Sequence, residues 1–200
     1  MLKVFEEADR IKRRRSLRLL EYDYSQAGAY FLTICVNDRK PLFGEIVGKQ
    51  MVLNDLGRIV ESNWLRTPMI RPQVQLDGYV IMPNHMHGIV VIDGEEIGKS
   101  RPRSVRGDVQ DTGRMQDAPT SGARRGFRAP SQTVGAVVRG FKGATTSQIA
   151  KILRRGDFAV WQRNYYDHVI RDEGDLQRIR EYIENNPARW AEDVLNPEKG

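Results

Sequence analysis

The run Gly78-Tyr79-Val80-Ile81-Met82-Pro83-Asn84-His85-Met86-His87-Gly88-Ile89-Val90-Val91-Ile92 constrains this chain more than any other. Two stretches rich in β-branched residues meet at Pro83-Asn84, which reads as a hairpin of strands over 74–82 and 85–92. The second strand carries two of the three histidines in the chain. Extended backbone alternates its side chains, so His85 and His87 share one face and Met86 points to the other. Two neutral imidazoles on one rigid strand suit a divalent metal, and a third ligand must then come from elsewhere. A pair of half-exposed strand histidines is the other reading of the same pattern, but the concentration of imidazole at one point favours function.

Two hundred residues are enough for one domain with a substantial core. Thirty-two Lys and Arg against 26 Asp and Glu leave a net charge of +6, which favours a polyanionic partner, either nucleic acid or an acidic membrane surface. No apolar run is long enough to span a membrane, and Met1 to Glu7 lacks the apolar core of a signal peptide. Cys35, the single cysteine, excludes an internal disulfide and sits in an apolar strand pattern as a small core residue. A reducing cytoplasm is the expected compartment.

Residues 1–21 form a basic arm in which Arg13, Arg14 and Arg15 are candidate phosphate contacts, a solvated tail being the alternative. A single domain is expected over 22–195, interrupted by a cationic, Gly/Pro/Ser/Arg-rich insertion at about 93–132 whose composition reads as disorder, and followed by a short tail at 196–200. Within the domain, 30–36 reads as a strand and 45–53 as a second, with Gly48 marking a turn or bulge, so that the two can pair as a hairpin. Asn54 is a plausible N-cap for a helix carrying Leu56, Ile59, Val60 and Trp64, which Thr67-Pro68 stops. Val134, Val137, Val138, Phe141, Ile149 and Ile152 define a helix over 133–153. Phe158-Ala159-Val160-Trp161 is a short strand candidate, and 164–171 stays open between extended and turn-rich. The last strong helix spans 175–186, with Leu176, Ile179 and Ile183 on its buried stripe and Pro187 just beyond.

Tyr182 and Asn186 lie four residues apart on that helix and therefore on one face. They pair a possible nucleophile with a possible ligating amide. On the pattern alone, packing for Tyr182 and helix termination for Asn186 remain open. Tyr165, Tyr166 and His168 form a rival cluster, read as structural or DNA-contacting. Arg139, Lys142, Arg163 and Arg171 are candidate phosphate contacts, with a solvated basic face as the alternative.

Taken together, the hairpin with His85-Met86-His87, the segment Val160 to Arg171, and Tyr182-Ile183-Glu184-Asn185-Asn186-Pro187 resemble the single-tyrosine HUH transposases, in particular the REP-associated tyrosine transposases. The resemblance covers about 22–92 and 133–195. It implies an α+β, ferredoxin-like antiparallel sheet with helices packed on it. It implies further that His85, His87 and Asn186 ligate Mg2+ or Mn2+ and that Tyr182 is the nucleophile. The activity implied is a metal-dependent endonuclease and strand transferase acting on single-stranded, hairpin-forming repeat DNA through a 5′-phosphotyrosyl intermediate. Relatives of this kind act as monomers or homodimers. A nuclease-dead binder of single-stranded nucleic acid on the same fold is the runner-up, and a structural-metal protein the third reading.

Overall fold

The computed structural model describes residues 27–93, 133–156 and 158–199. The basic arm with Arg13, Arg14 and Arg15, and the insertion from Gly94 to Gln132, lie outside the described residues. The elements are β1 (Gly28–Cys35), β2 (Gly44–Val47), β3 (Gln50–Leu53), α1 (Asp55–Leu65), α2 (Thr67–Ile70), β4 (Val74–Met82), β5 (His85–Ile92), α3 (Val134–Leu153), β6 (Tyr166–Ile170) and α4 (Glu173–Asn185), with 3-10 turns at Asn37–Arg39, Pro187–Glu192 and Pro197–Lys199. Strands β4, β5, β1 and β6 lie side by side in that order in one antiparallel sheet. With α1 between β1 and β4, and α3 between β5 and β6, this is the ferredoxin-like arrangement.

Alternation along the central strands sorts the two faces. Tyr30, Leu32 and Ile34 of β1 and Met86 and Val90 of β5 join Val60 and Trp64 of α1 and Val134, Val137, Phe141 and Ile149 of α3 in the larger core. Phe31 and Ile89, one residue out of step, face the opposite side and pack on Ile179 and Ile183 of α4. Burying each of those two isoleucines stabilises the helix on the sheet by about 1.5–3 kcal/mol. His85 and His87 share this α4 face, and Met86, 1% exposed, lies in the other core, as a period of two requires.

Local signals explain the helix ends. The Asn54 side chain accepts from the Gly57 N–H at 3.0 Å and starts α1. Thr133 caps α3 in the same way through the Ala136 N–H at 3.1 Å. Helix α4 begins at Glu173, two residues before the expected Asp175, because Asp172 caps it by accepting from the Asp175 N–H at 2.8 Å. Pro68 starts the short α2 as well as marking the end of α1.

Two expectations are corrected. Residues 45–53 are not one strand paired with 30–36: β2 and β3 pair with each other, turning at Gly48 and Lys49, whose φ of +56° and +67° reverse the chain within two residues. Strand β1 is unavailable to them because β5 and β6 occupy both of its edges. Val160-Trp161 is not a strand either, but a single bridge from Trp161 to Val36. Just beyond it, the carbonyls of Gln162 and Asn164 accept from the Lys142 ammonium at 2.8 and 2.9 Å. The open segment 164–171 resolves into edge strand β6. Among the described residues, no helix is long and apolar enough to cross a membrane.

Candidate metal and tyrosine site

The two histidines are buried, 0% and 2% exposed, and their Nε2 atoms converge to 3.0 Å. Each ring is oriented from behind. Asn84, in the hairpin connection, donates from Nδ2 to the carbonyls of Leu195 (2.7 Å) and Arg39 (3.0 Å), so its Oδ1 is left to accept from His85 Nδ1–H at 2.7 Å. That fixes the tautomer and leaves a lone pair on His85 Nε2. Thr33 stands directly opposite His87 in the β1–β5 ladder, and its hydroxyl lies 2.8 Å from His87 Nδ1. Burial pushes the His87 imidazole down to about 3, and burial, then His87 and Arg39, hold His85 well below its ordinary value. Both rings are therefore neutral at physiological pH.

Helix α4 brings the remaining groups. Tyr182 packs edge-on against Phe31, ring centroids 6.0 Å apart, and its hydroxyl reaches 3.1 Å from His87 Nε2. Burial and the nearby Asp193 carboxylate raise the phenol above its ordinary value, so it is uncharged at rest. One turn on, Asn186 is 3% exposed; its amide donates toward the Tyr182 hydroxyl and the Asp193 carboxylate, while its carbonyl Oδ1 is buried without a hydrogen-bond partner. The 3-10 turn Pro187–Glu192 then folds back and delivers Asp193, whose Oδ2 is 3.9 Å from His85 Nε2. The ligand atoms of His85, His87 and Asp193 all lie within 4.8 Å of one another, a group able to hold a metal ion.

The donor set fits a divalent cation. Two donors about 2.1 Å from a common ion at right angles stand about 3.0 Å apart, the His85–His87 separation. The orphaned Asn186 oxygen is a hard donor beside them. Burial raises the Asp193 carboxyl above its usual range, a penalty that a cation would relieve.

The structure thus brings together His85, His87, Tyr182 and Asn186, and adds Asp193, which sequence reasoning missed. Asp193 lies outside every periodic segment. The only signal for it is Pro187, which begins a further turn and so returns the chain toward the sheet. Among the basic candidates, Arg139, Arg163 and Arg171 are exposed. Lys142 ties α3 to the 162–164 segment, its ammonium 5.7 Å from the centre of the Tyr165 ring, and burial lowers it to about 8. In the rival cluster, Tyr166 packs with the α4-face core, and His168 Nε2 lies 2.8 Å from Asp175, tying β6 to the start of α4. Cys35 is partly buried, and burial pushes its thiol up to about 11.

A ferredoxin-like sheet that carries a His-x-His pair under a tyrosine-bearing helix is the HUH transposase fold. The solved structure of a REP-associated tyrosine transposase bound to a REP hairpin superposes with a TM-score of 0.53 at 17% identity, over 86% of this chain and 74% of that one. The chain belongs to the family of a protein of Haemophilus influenzae described as uncharacterized, with which it is 45% identical over 186 residues, 92% of this chain and 94% of that protein. No protein-family model matches it.

Proposed function

We propose that this protein is a divalent-metal-dependent endonuclease and strand transferase of single-stranded DNA, with Tyr182 as its nucleophile. The observation that carries this reading is the 3.1 Å approach of the Tyr182 hydroxyl to His87 Nε2 within one chain, beside a second imidazole, a carboxylate and an unpaired amide oxygen. His85, His87, Asp193 and Asn186 would hold the cation. Nitrogen donors mixed with hard oxygens favour Mn2+ or Mg2+ with water over the closed nitrogen- and sulfur-ligated sites of structural zinc. When bound, the ion supplies Lewis-acid polarisation of a phosphodiester oxygen.

The chain's own residues supply the rest. Phe31 and His87 hold the phenol ring in place, so its oxygen attacks from a fixed position. A neutral phenol does not repel the anionic DNA backbone while the strand binds. As the Tyr182 oxygen bonds to phosphorus, the bond from phosphorus to the 3′ oxygen of the adjoining nucleotide breaks. The phenol proton passes to solvent and the departing 3′ oxygen takes one up, leaving a 5′-phosphotyrosyl linkage and a free 3′ hydroxyl. That hydroxyl can reverse the step on a new strand, so the linkage conserves the bond energy and no nucleotide is consumed. All of these groups belong to one chain, which supports a site complete in a single protomer.

The neighbour whose solved structure holds a REP hairpin supports a substrate class. We take hairpin-forming repeat DNA as the partner here too. The test incubates labelled, hairpin-bearing single-stranded DNA with the protein and Mn2+ and looks for an adduct that survives denaturation. Wild type should form it and Tyr182→Phe should not. An adduct with Tyr182→Phe would remove Tyr182 as nucleophile, and salt-sensitive binding without nicking by wild type would leave a binding module instead.

A further inference from the structure

Arg39 was not among the basic residues that the sequence marked, yet it lies beside the site, its guanidinium on the carbonyl that follows Asp193. It lies in the 3-10 turn Asn37–Arg39 that follows β1, where Asp38 and Arg39 both take left-handed backbone angles, φ 55° and 53°. Neither residue is a glycine, and such angles persist only where surrounding contacts enforce them. The enforcing contact is the Asn84 side chain, which holds the Arg39 carbonyl at 3.0 Å with one end and His85 Nδ1 at 2.7 Å with the other. The turn and the metal-site imidazole are thereby joined through a single amide.

Among the described residues, the Arg39 guanidinium donates to the Val194 carbonyl, at 3.4 Å, immediately beyond Asp193. Among the described residues it forms no ion pair with a carboxylate. Its charge acts on His85 and, behind that of Lys199, on Asp193. Asp193 is the carboxylate on which the guanidinium acts, and a cation held at the site would draw on the same carboxylate, so the two positive charges together favour a further anion. A phosphodiester satisfies both charges at once, and a planar guanidinium matches its two non-bridging oxygens.

The geometry points to Arg39 as a residue that grips a DNA phosphate on the His85–Asp193 side of the site. This rests on the reading of the site given above, but it is tested by binding alone. The full-length chain carrying Tyr182→Phe is titrated with a labelled single-stranded DNA hairpin bearing an unpaired 5′ flank, in Mn2+, across a series of salt concentrations. Adding Arg39→Gln should weaken binding about tenfold at moderate salt and flatten the log–log salt dependence by about one unit, as loss of one phosphate contact does. Arg39→Lys keeps the charge on the same backbone and should restore the slope. Mn2+ affinity measured without DNA should rise a few-fold in Arg39→Gln, because a repelling charge is gone. A merely structural role would lower it instead.

An unchanged salt slope in Arg39→Gln, a slope in Arg39→Lys equal to that of Arg39→Gln, or a fall in Mn2+ affinity would each overturn the assignment. Failure of the enzymatic reading shows elsewhere, as a wild-type chain that forms no adduct while the Arg39 slope effect persists.

Discussion

Tyr182 and His87 are 95 residues apart in sequence, and the phenol oxygen of one stands 3.1 Å from Nε2 of the other. The contact is set by two surfaces meeting: the alternation of β5 puts His87 on the α4 face, and Ile179 and Ile183 seat α4 there. Tyr182→Phe removes the hydroxyl and leaves the ring against Phe31. Its nicking rate should therefore fall at least about a thousandfold, the scale expected when a nucleophile is lost, while thermal stability changes little. A single-turnover cleavage assay alongside a melting curve checks both halves. A variant that melts many degrees lower would show that the hydroxyl is a structural group.

Asp193 provides a sharper test of the metal site, because it was found only in three dimensions. Its Oδ2 is 3.9 Å from His85 Nε2 and its Oδ1 accepts from the Leu195 N–H at 2.7 Å. Asp193→Asn keeps the shape and removes the charge. Mn2+ affinity should drop about 10- to 100-fold, the range seen when a group supporting a metal centre is altered. Titration calorimetry reads this directly, and an affinity within about twofold of wild type would exclude the carboxylate from the site.

The buried imidazoles also set how the metal-free protein responds to acid. Both have pKa values depressed by burial, His87 to about 3, whereas an unfolded histidine titrates near 6.5. Below about pH 6.5 the unfolded chain takes up protons that the folded chain refuses, so stability falls as pH falls and is fully present above that value. Each imidazole contributes close to a tenfold change in the unfolding equilibrium per pH unit in this window. Denaturant melts in the presence of a chelator should show the decline starting near pH 6.5, and His87→Gln should lessen its slope by about one proton. Equal slopes for the two proteins would mean that His87 is already protonated in the folded state.

The parts of this molecule that were readable in the sequence are those fixed by local periodicity. Strands over 74–82 and 85–92, the helix from Val134 and the stripe Leu176, Ile179 and Ile183 all follow from apolar spacing, and the His85–His87 facing follows from the same rule. Gly48 was legible as a turn or bulge, but the β2–β3 pairing was missed because Lys49 gives no hint of the second left-handed residue that the two-residue turn uses. Asp193, Asn84 and Arg39 were missed for a different reason. Their roles depend on hydrogen bonds between segments more than forty residues apart, such as Asn84 to Arg39 and to Leu195, and no repeat in the chain encodes those distances.

Gly88, between His87 and Ile89, is where the large core presses on the strand that carries the two histidines. A Cβ there would lie 2.4 Å from Cζ2 of Trp64, an indole that is fully buried and packed edge-on against Phe141. Gly88→Ala should destabilise the fold by about 1–3 kcal/mol through overpacking, visible as a lowered denaturation midpoint in tryptophan fluorescence. Adding Trp64→Phe, which vacates the space of the second ring, should recover part of the loss. Without such recovery, crowding against Trp64 cannot be the cause.

The last relationship governs how firmly α4 holds its tyrosine. Asp77 sits where the β4–β5 register slips between Leu76 and Tyr79, and it accepts from Arg180 Nε and Nη2 at 3.0 and 2.6 Å. Arg180 is two residues before Tyr182, so this bidentate pair resists rotation of the helix. The Arg180 hydrogen bonds hold the Asp77 carboxyl below its usual range. A depressed carboxylate pKa adds stability that is present above the unfolded value near 3.9 and lost as pH falls through the folded value. Both side chains are partly exposed, so solvent screens the pair and its effect on unfolding should be no more than a few-fold. Its larger effect should fall on turnover. Asp77→Asn should lower kcat for nicking several-fold with KM nearly constant, because the tyrosine is less well aimed while the DNA contacts persist. Steady-state kinetics at pH 7 decide the matter, and a change confined to KM would place Asp77 in strand binding instead of in the aim of Tyr182.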